Sequence, residues 1–236
     1  MHTATIYENL SLLKDLGQKQ LTVLIDPDKF DESQAENFLY ALPDEVTHIF
    51  VGGSTVEANM TDRTVAAIKC FSDLPIIIFP GDYTQITSKA DGILFLSLLS
   101  GRNPEYLIEQ QVKSVTRLKN SNLEIIPTGY ILIDGGNESA VQRISNTKPM
   151  PQNNVEAIVN TALAGQYSGK QLIYLEAGSG ATNHVSVAII KEVKKVLSIP
   201  LIVGGGIKNS TQLNTIYKAG ADMAVIGTAF EKGAFH

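Results

Sequence analysis

Short apolar runs that end in glycine, proline or a carboxylate recur along the chain, and most are separated by segments whose apolar residues fall three or four apart. The first pattern predicts buried strands and the second predicts helices packed on one side. Strands are expected to start near residues 21, 48, 76, 92, 124, 171, 201 and 223, as in Leu21 to Ile25, Pro75 to Phe79 and Leu172 to Leu175. Helices are expected over Ile6 to Leu16, Ser33 to Ala41, Val56 to Phe71, Glu105 to Lys119, Val155 to Gly165, Val185 to Leu197 and Thr211 to Ala219. That alternation implies a parallel (β/α)8 TIM-like barrel forming a single domain over residues 1–236. A doubly wound open sheet is the rival, but the chain lacks the glycine-rich turn after the first strand that a dinucleotide fold needs.

The pattern also marks irregular places. The opening helix is expected to cover the barrel floor. Only Tyr83 to Asp91 separates the third and fourth strands, too little for a full crossover helix, so the third βα unit reads as eroded and the outer ring should open there. On Glu105 to Lys119, Leu107, Ile108, Val112, Val115 and Leu118 form one apolar stripe, which predicts an inward face. Asn137 to Asn153 is polar and irregular, as expected of a functional lid. After the eighth strand only Ala229 to His236 remain, so the last helix is expected to be abbreviated.

Composition narrows the partners. An apolar fraction of 44% is ample for a closed core, and a net charge of -5 gives no basic field for nucleic acid. Cys70 is the single cysteine, which excludes an intramolecular disulfide, and its apolar surroundings predict a buried, inert thiol. No signal peptide is expected ahead of the first helix, and no apolar run approaches the roughly 20 residues that span a bilayer. A cytoplasmic protein is expected, with any contact with lipid peripheral.

The chemistry gathers around Leu172 to Ala181, where an apolar run ends in Glu176 and a loop of Gly178, Ser179 and Gly180. Tyr174 and Glu176 sit two apart and share one side of a strand. Bare backbone amides in such a loop suit an anion. The runs Leu201 to Gly206 and Ala224 to Thr228 repeat the layout; glycines that merely turn the chain explain any one loop, whereas three at one end suggest a shared phosphate site. In a barrel, phosphate is held after the seventh and eighth strands, where Gly204 to Gly206 and Gly227-Thr228 fall. At the first strand tip Asp26 and Asp28 flank Pro27, a pair that suits Mg²⁺, although a plain turn with a solvated Lys29 has the same spelling. In Gly52-Gly53-Ser54-Thr55 a hydroxyl can ligand a metal or cap the next helix; Thr55 reads as the cap and Ser54 as the open group. No lysine lies within a strand core, as an aldolase would need, while a phosphosugar isomerase or a phosphate-binding barrel stays open.

Taken together, Asp26-Pro27-Asp28-Lys29, Gly52-Gly53-Ser54, Phe79-Pro80-Gly81, Tyr174 to Gly180, Val203 to Ile207 and Gly227-Thr228 resemble the geranylgeranylglyceryl phosphate synthase family, in order and over nearly the whole barrel. The resemblance implies transfer of a prenyl chain from its diphosphate to the 3-hydroxyl of sn-glycerol 1-phosphate, with Mg²⁺ required. It implies metal positions at Asp26 and Ser54. It implies glycerol phosphate positions at Tyr174, Leu175, Glu176, Ala177, Gly178, Ser179, Gly180, Gly205, Gly206, Gly227 and Thr228, with Glu176 as the base. Heptaprenyl-transferring relatives carry a lysine where Leu24 stands here, so a geranylgeranyl donor is expected and a longer one is the alternative. A homo-oligomer is expected, and the prenyl tail is assigned to the gap after Phe79.

Overall fold

Strands β1 (Gln20–Ile25), β2 (Val46–Val51), β3 (Ile76–Ile78), β4 (Gly92–Leu98), β5 (Glu124–Leu132), β6 (Leu172–Glu176), β7 (Leu201–Gly204) and β8 (Met223–Ile226) pair in parallel, in sequence order, in a computed structural model that describes residues 4–231, 233 and 235. β8 pairs back onto β1, which closes the barrel. Each strand begins within two residues of its expected start, because the runs are apolar on both faces and end abruptly. Leu21, Val23 and Ile25 face the helical layer, so alternation turns Gln20, Thr22 and Leu24 into the lumen. The lumen is filled by Phe50, Ile77, Leu94, Ile126, Tyr130, Tyr174, Ile202 and Met223 among others.

Helix α1 (Ile6–Asp15) lies across the floor of this lumen. A capping box between Thr5 and Glu8 starts it, and the Glu124 carboxylate accepts from Ile6 N at 2.5 Å and Tyr7 N at 2.8 Å. An acid against a helix N-terminus satisfies free amides and complements the dipole. Leu10 then enters the inner core.

Polar residues are also buried in the lower lumen: Thr22 stands opposite His48 in register, and neither is more than 3% exposed. Burial pushes the His48 ring down to about 4. Its folded value lies below that of the unfolded chain, so the unfolded chain binds more protons between them. Stability is therefore full above about pH 6.5 and is lost as pH falls toward 4, by about 3 kcal/mol. His48→Gln is expected to abolish that increment, read as the difference in unfolding free energy between the two proteins at pH 7 and pH 4; a difference that does not change with pH would place the ring in contact with water.

The outer layer comprises α2 (Ala35–Tyr40), α3 (Met60–Lys69), α4 (Gln110–Leu118), α5 (Ala140–Ser145), α6 (Val155–Tyr167), α7 (Val187–Val196), α8 (Ser210–Ala219) and the short α9 (Thr228–Glu231). Residues 232, 234 and 236, part of the expected abbreviated end, lie outside the described residues. No helix forms between β3 and β4, as expected of the eroded unit. Segment 80–91 is pinned instead by Gln110, whose Oε1 accepts from Tyr83 N at 2.8 Å, and by Arg117, which donates to Thr84 O at 2.9 Å.

Four local expectations are corrected. Helix α3 starts at Met60, after a left-handed Asn59, so Thr55 is exposed in a loop and caps nothing. Cys70 is exposed because it sits at the C-cap, past the buried face of Thr61, Thr64, Val65 and Ile68. Three of the five residues of the apolar stripe expected over Glu105 to Lys119 point out: Ile108, Val112 and Val115 are exposed, Leu107 is half-buried, and only Leu118 is buried, beside Gln111 and Ser114. The reason is tertiary, since the Gln111 amide finds Leu96 O at 2.6 Å and Ser97 Oγ at 2.5 Å on β4. Finally, 137–153 is ordered in part: α5 lies within it and Met150 bridges to Ile133.

Candidate active site

A cavity of about 890 Å³ opens at the carboxyl ends of the strands. Its wall includes Asp26, Ser54, Tyr174, Glu176, Gly178, Ser179, Gly180, Gly205, Gly206, Gly227 and Thr228. Two of the expected residues do not line it. Leu175 packs in the outer layer by strand alternation, and Ala177 is buried, its N–H donating to Gly204 O at 3.0 Å.

At the centre, Tyr174 stacks on Phe79 with ring centroids 5.2 Å apart and meets Tyr130 edge-on at 5.4 Å. The Glu176 side chain is 6% exposed and its Oε1 accepts from Gly178 N at 2.7 Å. Burial pushes this carboxyl up to about 7, against the Tyr174 hydroxyl and the Gly178 N–H, which favour ionisation. The Tyr174 hydroxyl lies beside the carboxylate without a hydrogen bond of regular geometry. A buried carboxyl whose ionisation is pushed toward neutrality, on the wall of a cavity, is suited to taking up a proton.

The three glycine loops converge as expected. A Cβ on Gly205 would fall 2.3 Å from Glu176 Oε1 and 2.6 Å from Gly178 N, at a φ of +80°, so only glycine lets the β7 loop close on the β6 loop. The Ser179 and Thr228 hydroxyls are 3.2 Å apart, which joins the β6 and β8 loops. Glycines of three loops and two hydroxyls thus line one side of the cavity beside Glu176, a chemistry that suits an anion.

On the β1 side, Asp26 packs against Gly53, whose Cβ would meet Asp26 Oδ1 at 2.9 Å, and Ser54 follows next in the chain. Asp28 Oδ1 accepts from Glu57 N at 3.0 Å and holds the β2 loop, while the residue still lines the cavity. Asp26, Asp28 with one oxygen engaged, and the Ser54 hydroxyl thus supply side-chain oxygens on this side of the cavity. No group of three or more His, Cys, Asp or Glu is placed to hold a metal among the described residues. Such a donor set fits a hard cation only when phosphate oxygens and water complete its shell, the usual way Mg²⁺ is held.

From this centre the cavity runs along an apolar trough where the third helix is missing, past Phe79, Tyr83, Ile86, Ile93 and Phe95, with Gln110, Gln111 and Ser114 of α4 opposite. Helix α5 covers it through Val141, Ile144 and Ser145. Sequence reading did not single out Tyr130, Arg143 or Lys208 and gave Lys29 no role beyond a solvated turn residue, yet all four line the cavity. For Tyr130 a signal existed: it stands opposite Tyr174 in register, on the same side of its strand as Thr128 and Leu132.

Comparison with known proteins gives a consistent picture. Residues 14–234 match the PcrB family. A geranylgeranylglyceryl phosphate synthase of Zunongwangia profunda is 62% identical over 220 residues, 93% of this chain and 94% of the relative. One from Pyrococcus abyssi is 42% identical over 217 residues, 91% and 85% of the two chains. Among solved structures, the crystal structure of (S)-3-O-geranylgeranylglyceryl phosphate synthase from Thermoplasma acidophilum in complex with substrate sn-glycerol-1-phosphate superposes with a TM-score of 0.88 at 36% identity, covering 98% of this chain and 93% of that one. A tryptophan synthase alpha-subunit from Pyrococcus furiosus, 14% identical with a TM-score of 0.56, shares the fold alone.

Proposed function

The chain belongs to the PcrB family, and from that premise we propose that it is a prenyltransferase that joins sn-glycerol 1-phosphate to an allylic polyprenyl diphosphate through an ether bond, with geranylgeranyl diphosphate as donor and pyrophosphate as the second product. The observation that carries this reading is a single cavity in which a buried carboxylate and an anion cradle open into an apolar trough. The names of the relatives support both the acceptor and the twenty-carbon class of donor.

In this reading the amides of Gly205, Gly206 and Gly227 and the hydroxyl of Thr228 hold the phosphate, and Tyr174 shapes the wall beside it. The 3-hydroxyl then lies within reach of Glu176. As the hydroxyl oxygen bonds to the allylic carbon, the bond from that carbon to the diphosphate oxygen breaks and Glu176 takes the hydroxyl proton. Phe79 and Tyr130 keep water from the cation-like carbon. Asp26 and Ser54 would hold Mg²⁺, which when bound would neutralise diphosphate oxygens and favour their departure. The tail lies in the trough under α5. No helix among the described residues is long and apolar enough to cross a membrane.

Pyrophosphate release should require glycerol 1-phosphate, an allylic diphosphate and Mg²⁺ together; release without the alcohol would point to a hydrolase. Asp26→Ala is expected to lower Mg²⁺-dependent turnover by about 10²-fold or more, since metal stabilisation of the leaving group is worth several kcal/mol, with an unchanged circular dichroism spectrum. Unchanged turnover at limiting Mg²⁺ would remove Asp26 from the metal site.

A further inference from the structure

Lys29 sits three residues after Asp26, and its ammonium lies 2.5 Å from Asp26 Oδ2, while Oδ1 accepts from Asp28 N at 3.2 Å. Both oxygens of the carboxylate assigned to the metal thus have partners within their own turn. A divalent cation at Asp26 displaces the ammonium from Oδ2, or weakens its hold from Oδ1, because two cations at one carboxylate repel. The pair is built to part: the Lys29 side chain is 58% exposed, and an ion pair that open contributes little. Asp28, which gives one oxygen to Glu57 N, and Glu231, both at the cavity, add to the acidic field on the Lys29 ammonium. The other basic residues at the cavity contact groups other than Asp26, Arg143 with Glu138 at 3.7 Å and Lys208 with Thr182 O at 3.1 Å.

We propose that Lys29 exchanges partners during the catalytic cycle: it neutralises Asp26 until a divalent cation takes that carboxylate, and it then moves its ammonium onto the diphosphate that arrives with the cation. The inference rests on the prenyltransferase reading and adds a second, protein-borne cation to the diphosphate subsite. The exchange makes metal and diphosphate binding cooperative, since the cation frees the group that helps hold the anion. A compact, flexible ammonium suits this task better than a guanidinium fixed in a fork.

Binding of Mn²⁺ followed by electron paramagnetic resonance, and of inorganic pyrophosphate followed by calorimetry, tests the exchange without turnover. In Lys29→Met, Mn²⁺ alone is expected to bind about two- to fivefold more tightly, because a competitor worth at most about an exposed ion pair has gone. Pyrophosphate at saturating Mn²⁺ is expected to bind about tenfold more weakly, the loss of one charge-assisted contact. In Asp26→Asn the ammonium is free from the start, so pyrophosphate without any divalent cation should bind several-fold more tightly than to the wild type. A Lys29→Met protein with unaltered or weaker Mn²⁺ affinity, or an Asp26→Asn protein with unaltered metal-free pyrophosphate affinity, overturns the exchange. A wild-type protein that binds neither Mn²⁺ nor pyrophosphate overturns the prenyltransferase reading along with it.

Discussion

Glu176→Gln is expected to lower kcat by about 10² to 10⁴-fold while KM for both substrates stays within a few fold, the signature of a lost general base. Gln keeps the size of the side chain and still accepts from Gly178 N, so the loop geometry that depends on that 2.7 Å bond should persist. A positioning role would move KM instead. The wild-type rate should rise with pH through about 7, where the buried carboxyl ionises, and the Gln variant should lose that limb. Stability moves the other way. The folded value, about 7, lies above the unfolded one, so stability is full below about pH 4.5 and is lost as pH rises through 7, by about 3 kcal/mol. Glu176→Gln should therefore unfold at higher temperature than the wild type at pH 8, an outcome expected of a site that holds a group against its preferred charge state. His48 has the opposite slope over an overlapping range, so the two contributions largely cancel in the wild type between pH 4.5 and 6.5 and emerge only in the variants. A Gln variant that keeps kcat, or that is no more stable at pH 8, would deny Glu176 the role of a buried base.

What could be read in the sequence was whatever depends on neighbours along the chain. The strands could be read because each is a short apolar run closed by glycine or proline, and the placement of Tyr174 and Glu176 in the lumen follows from their spacing of two on β6. The empty third unit could be read from connection length alone. The reading failed where a distant partner overrides the local pattern. Gln111 is buried on α4 because β4 offers its amide two acceptors, which forces Ile108, Val112 and Val115 outward against their hydropathy. Asp28 stands beside Asp26 in the sequence, and nothing there announces that Glu57 N, 29 residues away, engages one of its oxygens. The lid read as irregular because its Pro149 and Pro151 hide the short α5 and the bridge from Met150 to Ile133. The misses concern side-chain directions, one helix start and one short helix, and none concerns the existence of a strand.

Gly206→Val is expected to raise KM for glycerol 1-phosphate by about 10²-fold, the equivalent of one or two lost hydrogen bonds to a charged group. Gly206 has a φ of +70°, and a Cβ there would lie 2.8 Å from Asn183 C, Asn183 O and His184 N. Those atoms are backbone and cannot swing aside: Asn183 N donates to Gly135 O at 2.9 Å, and His184 O accepts from Gln152 Nε2 at 3.1 Å. The β7 loop must therefore yield, and its amides leave the positions where they converge with those after β8. A left-handed conformation adds about 1 to 2 kcal/mol for a residue with a side chain, which is tolerable for a barrel closed by eight paired strands. In the proposed arrangement the prenyl diphosphate occupies the Asp26 side and the trough, away from this loop, so its KM should change by no more than about twofold to threefold, within the scatter expected of an indirect effect. Steady-state kinetics with each substrate varied at saturating amounts of the other separates the two. Equal increases in both KM values would mean that the loop supports the whole mouth of the barrel, and the phosphate would then have to be sought among the amides of Gly178 to Gly180.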